Sequence, residues 1–412
     1  MQDLNLYLKR IFKTPILLVF FLICIVFLPS AINLRSVAFR TGIVVGLGID
    51  TNENKEYILD AIITVPSVTD NLTENNKIVS SSGSTILEAL GNMNLVFGRA
   101  IRLGHVRYIL IGSNLAKTNV ANAIDGIIRT NKVRDSVQLL VCGSNVHKML
   151  QVGVELKNKT GIRLSDIICH QEQYSTTSFD SNVDSFYKGF FGKSKISKLN
   201  YVSIKDDFTI GVAPIENTQN ENSGGGGETS QTNKKTKYIS NLGEMAIFKD
   251  GIMQMVLDEK MSESINWLNQ SYLPKKLVVE VEDIDTINTI GFEILDKNLK
   301  METFFIKNVP IIYYKINLTI DINEIINSDS EVVPKSNDIV RDIIKTSTGR
   351  TIRKSIGVAL DFARQTGLDV FGFNDIFYLY QHDKYLEYCK SGHSEDFLEN
   401  VQLNVDLNIK II

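Results

Sequence analysis

Tyr314-Lys315-Ile316-Asn317-Leu318-Thr319-Ile320-Asp321-Ile322 alternates apolar and polar residues without a break. Side chains on a β-strand point to opposite faces in turn, so this period-two pattern describes a strand with one dry and one wet face. Such a strand belongs to a sheet covered on one side only. The residues that follow supply the cover. Val340, Ile344, Ile352, Ile356, Leu360 and Ala363 keep helical spacing, which predicts a helix over 338–365 with Asn337 as N-cap and Gly367 as stop. A further helix is predicted over 375–390, opened by Gly372 or Asn374. The chain closes on Val401, Leu403, Val405, Leu407, Ile409 and Ile411, alternating with polar residues. With strands predicted over 276–281 and 289–295, residues 271–412 form an α+β domain: an antiparallel sheet with its helices on one face.

Moving towards the N-terminus, residues 152–270 form a middle region. A strand over 244–248 turns at Lys249-Asp250-Gly251 into a second over 252–257, and a helix near 262–269 carries the single tryptophan, Trp267. Ahead of these, residues 216–237 hold Gly224-Gly225-Gly226-Gly227 among Asn, Gln, Ser, Thr and Lys with no bulky apolar residue. That composition cannot repay the entropy of ordering and predicts a disordered linker. Between 152 and 214 the pattern is thin: a short helix is predicted near 164–173 within irregular structure, with Phe179, Phe186, Tyr187, Phe190 and Phe191 among Ser, Asp and Gly.

Residues 37–151 read as an N-terminal α/β domain. Strands over 43–50 and 57–65 flank the polar turn Thr51-Asn52-Glu53-Asn54, and 77–81 adds a strand. Thr85 and Glu88 form a capping box for a helix over 85–97, with Leu87, Leu90 and Leu95 as its apolar side. A strand over 105–112, a helix over 120–129, a strand over 136–142 and a short helix over 145–150 complete the block.

Residues 1–36 are of another kind. Lys9, Arg10 and Lys13 precede the apolar run 16–28, and no charge appears between Lys13 and Arg35. A helix of that length spans about 30 Å, the thickness of a bilayer's hydrocarbon core. Two readings stand: an uncleaved anchor with its N-terminus inside, or a removed signal segment. Pro29-Ser30-Ala31 is a poor cleavage site and favours the anchor. Arg35 and Arg40 beyond the run weaken the charge bias that would fix orientation. No second span is visible.

Composition excludes some functions. Of the 412 residues, 43% are hydrophobic and 22% charged, enough to bury a real core. A net charge of −3 denies the chain an overall basic field for nucleic acid. Cys24, Cys142, Cys169 and Cys389 form no CxxC pair, which argues against a disulfide framework, and Cys142 reads as a small core hydrophobe. There is no GxSxG elbow and no HExxH helix. Cys169-His170 lack partners at metal-ligand spacing. Gly192-Lys193-Ser194 looks like the end of a phosphate-binding loop, but Tyr187 stands where that loop needs its first glycine. Accordingly no catalytic, cofactor-binding or metal-ligating residues are assigned, and ligand-binding residues are undefined. Lys345, Arg350, Arg353 and Lys354 are either a solvated helix face balanced by Asp338, Asp342 and Asp361, or a docking surface for anionic lipid headgroups or an acidic partner. The aromatics from Phe186 to Phe191 are either core or a partner-facing patch.

Five segments, in order, resemble the Ger(x)C family, the GerAC-like C subunits of spore nutrient germinant receptors. They are Gly46-Leu47-Gly48-Ile49-Asp50; Gly83-Ser84-Thr85-Ile86-Leu87-Glu88-Ala89-Leu90; Gly104-His105-Val106-Arg107-Tyr108-Ile109-Leu110-Ile111-Gly112; Ala246-Ile247-Phe248-Lys249-Asp250 with Trp267-Leu268; and Asp369-Val370-Phe371-Gly372-Phe373. The residue types are fold markers. Gly46 and Gly48 imply close backbone approach, Gly372 a turn entering a helix, and His105 a packed residue. The resemblance implies a non-enzymatic receptor or scaffold subunit acting in spore germination, built of mixed α and β domains. It implies localisation at the membrane, with the soluble part on the outer face of the spore inner membrane. The implied partners are a polytopic A-type subunit and a transporter-like B-type subunit; contact with the germinant is undefined. The family's lipid-modified cysteine has no counterpart after Pro29-Ser30-Ala31-Ile32, where the next cysteine is Cys142; Cys24 is embedded in the apolar run and lacks the small residue expected before it, and an uncleaved helix would serve the same tethering purpose. Two other classes remain open: an extracytoplasmic binding module for a small molecule or cell-wall component, and a membrane-anchored cell-envelope hydrolase.

Overall fold

A computed structural model describes residues 41–65, 75–131, 133–160, 164–166, 179–205, 238–240, 243–270, 272–274, 276–280, 287–327, 338–393 and 396–412, with Phe21 and Ile23. The predicted membrane span (those two residues apart), the linker 216–237, most of the helix near 164–173, Cys169, His170 and the cap Asn337 lie outside the described residues. Among those described, no helix is long and apolar enough to cross a membrane.

The first sheet draws on both the N-terminal block and the middle region. Its strands are β1 (Thr41–Thr51), β2 (Tyr57–Val65), β3 (Asn75–Gly83), β4 (Ala100–Arg102), β5 (Tyr108–Gly112), β6 (Gln138–Cys142), β7 (Ile196–Lys205), β8 (Tyr238–Ser240), β9 (Met245–Lys249) and β10 (Ile252–Leu257). Their order is β10-β9-β7-β6-β5-β1-β2-β3, with β4 added to β1 and β8 to β7. β1, β5, β6 and β7 run parallel; β2, β3, β9 and β10 add antiparallel flanks. The parallel strands need helical crossovers, supplied by α1 (Ile86–Phe97), α2 (Ser113–Ala116), α3 (Val120–Asn131), α4 (Val146–Thr160) and α5 (Val183–Phe191).

A register shift between Val44 and Gly46 sorts the faces of β1. Val44, Leu47 and Ile49 pack with α1 and α3, whereas α4 covers the other face through Val146, Met149 and Leu150. α1 departs from its predicted polarity. Its buried stripe is Ile86, Ala89, Leu90 and Met93, while Leu87 and Leu95 are 66% and 80% exposed. The i, i+3, i+4, i+7 set lies on one side of a 3.6-residue helix, and Leu87 and Leu95 fall off it. Three further expectations need correction. α4 runs ten residues past 150, because Val152, Val154 and Leu156 continue its apolar side. The segment taken as irregular contains α5, capped reciprocally by Asn182 and Ser185, and the whole of β7. His105 is exposed rather than packed.

The second sheet orders β11 (Lys276–Glu280), β12 (Ile287–Ile306), β13 (Val309–Asn327) and β14 (Gln402–Ile411). The alternation around Tyr314 lies inside β13, with Tyr314, Ile316, Leu318, Ile320 and Ile322 all buried. β12 and β13 form one long hairpin across Lys307-Asn308, whose φ values of 50° and 62° are those of a primed two-residue turn. β14 corrects the antiparallel expectation: it pairs parallel with β13, Ile311 opposite Gln402 through Ile320 opposite Ile411. The reason is the intervening α7 (Asp338–Thr366), which carries the chain back along the sheet so that the next strand repeats the direction of β13. Gly367 ends α7 with φ 65°, as its position implied. The helix predicted over 375–390 is two, α8 (Phe373–Tyr380) and α9 (His382–Tyr388), broken at Gln381, whose side chain donates to Thr303 O at 2.9 Å. The break lets Phe377 and Tyr385 both meet Phe397, which opens α10 (Phe397–Asn400). Between the sheets, α6 (Glu259–Asn266) and Trp267 enter the same core as β12 and β13.

Candidate functional site

The motif residues of β1 and β5 prove to be devices of assembly. A side-chain carbon on Gly46 would lie 2.3 Å from the Tyr108 hydroxyl, and one on Gly48 2.1 Å from Val146 Cγ1. Gly112 leaves room for the Asp50 carboxylate, whose Oδ1 accepts from Leu115 N at 2.9 Å at the start of α2. Thr85 accepts from Glu88 N at 3.1 Å, and Glu88 reaches back to Ser84 N at 2.9 Å. Cys142 is fully buried and its thiol is pushed up to about 11, chiefly by desolvation, as suits a core residue.

The motif around Asp369 does more, because it joins the two sheets. Asp369 is buried and accepts from Phe373 N at 2.9 Å, Asn374 N at 2.7 Å and Asn374 Nδ2 at 2.9 Å, capping α8. Burial raises its pKa; those hydrogen bonds oppose the shift. Gly372 precedes the helix with φ 72°. One turn on, the Asp375 carboxylate is gripped by the loop 192–194: Lys193 N and Ser194 Oγ donate to it, with Ser194 N at 3.4 Å. Gly192-Lys193-Ser194 therefore does cradle an anion, and that anion is a carboxylate of the chain itself. Lys193 Nζ sits 4.4 Å from the centroid of Tyr378, and Lys198 Nζ donates to Val370 O at 3.1 Å. Desolvation lowers the pKa of Lys198, and nearby Asp369 pulls it back up.

Two cavities flank this junction, and a third lies elsewhere on the first sheet. One of about 400 Å³ brings Lys193 and Arg364 together with Asp369, Asn374, Tyr385 and Glu399. A second, about 170 Å³, is lined by Lys198, Asp369, Asp375 and Phe371. A third, about 260 Å³ and more apolar, lies under α4, with Ile43, Val45 and Ile62 in its wall and His105, Arg107 and Lys157 around it. Chain position hides such sites, since the groups that meet at the junction are 181 residues apart.

Ser80, Asp60 and His147 have the composition of a hydrolase triad, and no spacing in the chain announced it. Its wiring is wrong for that chemistry. Asp60 Oδ1 lies 2.8 Å and Ser80 Oγ 3.2 Å from the same nitrogen, His147 Nδ1, and Ser80 also donates to Asp60. Nε2 faces Gln151 Nε2 at 3.0 Å. A serine relay needs hydroxyl and carboxylate on opposite ring nitrogens. The group ties α4 to β2 and β3. Among the described residues, no three His, Cys, Asp or Glu side chains are placed to hold a metal ion.

The remaining candidates divide. On α7, Arg341, Arg353 and Arg364 donate to the carbonyls of Ile411, Val405 and Val401 at 2.5, 3.5 and 2.8 Å, and Lys345 pairs with Asp342 at 3.3 Å. Arg341 and Arg364 thus help to hold the closing strand, while Arg350, Arg353 and Lys354 are exposed. Within the aromatic run, Phe186 is fully buried while Phe191 is 71% exposed.

Comparison with known proteins places these features. Residues 40–204 match the spore germination protein N-terminal domain, and residues 243–412 match the spore germination B3/GerAC-like C-terminal domain. A putative spore germination protein, YfkR of Bacillus subtilis (strain 168), is 25% identical over 304 residues, covering 72% of this chain and 68% of YfkR. Among solved structures, the GerBC protein aligns with a TM-score of 0.46 at 13% identity, over 89% of this chain and 97% of that one. With both domain matches in sequence order and together spanning most of its length, the chain belongs to the GerAC-like family of spore germination proteins.

Proposed function

We propose that this chain is a membrane-tethered, non-enzymatic subunit of a spore germinant receptor. In this reading its folded part lies on the outer face of the spore inner membrane, and its partners are a polytopic A-type and a transporter-like B-type subunit. The observation that carries it is the match of both halves to germination domains. Support for a non-catalytic role comes from the motif residues, which cap helices or admit close packing: Gly48 against Val146, Asp50 at Leu115, Asp369 at α8. The uncharged stretch between Lys13 and Arg35 is the proposed tether.

Deleting the gene in spores that lack redundant receptors, then comparing nutrient with non-nutrient triggers, tests the reading. Loss of the nutrient response alone is expected; normal nutrient germination refutes it. Mass spectrometry of the protein from spore membranes should recover residues 1–34, and a mature chain starting near Ile32 would refute the uncleaved anchor.

A second reading, a binding module for a small molecule, has its own observation. The 400 Å³ junction cavity presents Lys193 and Arg364 alongside Asp369 and Glu399, so both signs of charge are available to one ligand. Exposing the isolated protein to candidate nutrients while recording amide exchange around 192–194 would separate it from a pure scaffold.

A further inference from the structure

Thr41, the first residue of β1, pairs with Ala100 in the parallel β1–β4 ladder, and Ile43 pairs with Arg102. Any segment preceding residue 41 therefore enters the sheet beside β4. The last turn of α1 lies against the same point. A side-chain carbon on Gly42 would meet Phe97 Cε1 at 2.5 Å, and Asn94 Oδ1 accepts from Ile101 N at 2.8 Å. On that turn Leu95 is 80% and Val96 68% exposed. Exposed cations lie on the neighbouring strands: Arg102 on β4, opposite Ile43, and Lys77 on β3, opposite Ile63. No carboxylate occurs in the last turn of α1, in β4, or in the first three residues of β1 and β3.

We infer that this end of the first sheet rests on the bilayer, with Leu95 and Val96 entering the interface and Lys77 and Arg102 meeting anionic headgroups. The inference rests on the tether proposed above. Its geometry follows from chain length: residues 35–40 join the uncharged run to β1, and seven Cα steps reach at most about 25 Å. On the proposed tether, the sheet end cannot stand further than that from the membrane surface. An apolar pair with cations on the neighbouring strands is the composition of a peripheral contact with anionic lipid. It differs from a protein interface core, where charge is depleted.

The test uses the full chain in lipid nanodiscs of phosphatidylglycerol or of phosphatidylcholine alone, with detergent micelles as reference. Amide exchange over residues 94–102 is read by mass spectrometry. Exchange several-fold slower in the anionic discs is expected, with loss of that protection in L95S/V96S and in K77E/R102E; all four side chains are exposed and the variants should fold. Equal exchange in anionic discs and in micelles, with the chain retained in the disc, overturns the docking while leaving the tether intact. A chain that does not co-elute with the discs overturns both. Protection that is the same in both lipids and indifferent to K77E/R102E overturns the electrostatic recognition. Protection that appears in micelles as protein concentration rises marks a second copy as the occupant and overturns the inference.

Discussion

The packing of α4 over β1 makes a quantitative prediction at Gly48. An alanine methyl there would stand 2.1 Å from Val146 Cγ1 and 3.4 Å from Leu150 Cδ1. Carbon atoms rest about 3.5–4.0 Å apart, so the overlap with Val146 exceeds one ångström. Val146 cannot turn away. It is 2% exposed, and a β-branched residue in a helix holds essentially one χ1 rotamer. Helix α4 must move instead, and G48A should cost about 3 kcal/mol, the upper end of overpacking. V146A alone should cost roughly 2 kcal/mol for two lost methyl groups and the space they leave. In the double variant the new methyl occupies part of that space. Its total cost should be close to that of V146A alone, a favourable coupling of about 3 kcal/mol. Urea unfolding followed by far-ultraviolet circular dichroism measures all three. Additivity of the two single costs to within about 0.5 kcal/mol would refute the claim that this glycine exists to admit α4.

Two further outcomes follow from other parts of the fold. Lys297 of β12 points its ammonium at the carbonyls of Asn269 and Tyr272, 2.8 and 2.9 Å away, and desolvation pushes its pKa from 10.5 down to about 7. The unfolded chain then holds the extra proton between those values, so the penalty is fully present below pH 7 and fades as pH rises towards 10.5. Wild type should gain on K297M between pH 7 and 9.5 by up to about 1.4 kcal/mol per unit, measured by urea unfolding; a gap independent of pH would contradict the shift. At the junction, D375A removes an acceptor of charge-assisted bonds and should cost about 2 kcal/mol, with faster amide exchange at Lys193 and Ser194 but not along α1. Unchanged exchange at both amides would mean that the loop is held by other contacts.

Legibility in the sequence followed the range of the interactions. Local signals worked: the alternation through Tyr314, the positive-φ turn at Asp250-Gly251, the stop at Gly367, the close approach at Gly46 and Gly48. Signals interrupted by polar residues misled. β12 continues past Leu295 through Asp296-Lys297-Asn298, a stretch whose register shift breaks the alternation that would have marked it. Strand direction was invisible, because whether β14 runs with or against β13 depends on where α7 delivers the chain, not on residues 402–411. The junction was equally hidden. Gly192-Lys193-Ser194 looks in sequence like the end of a loop for an external phosphate, whereas its ligand is Asp375, far along the same chain. On α1, three leucines suggested one apolar side, yet only Leu90 faces the core.

Strand β9 is five residues long and belongs to two interiors at once. Ala246 and Phe248 sit in the core beneath α1 and α3, while Met245 and Ile247 sit in the core of the second sheet. It is a party wall. Neither room can be refurnished alone, since close-packed interiors have no slack to absorb a shifted side chain. A disturbance arriving at α8 or Trp267 thus has a rigid path, five residues wide, into the first sheet. For a protein of a family concerned with starting germination, that shared strand is a mechanical link between its two halves.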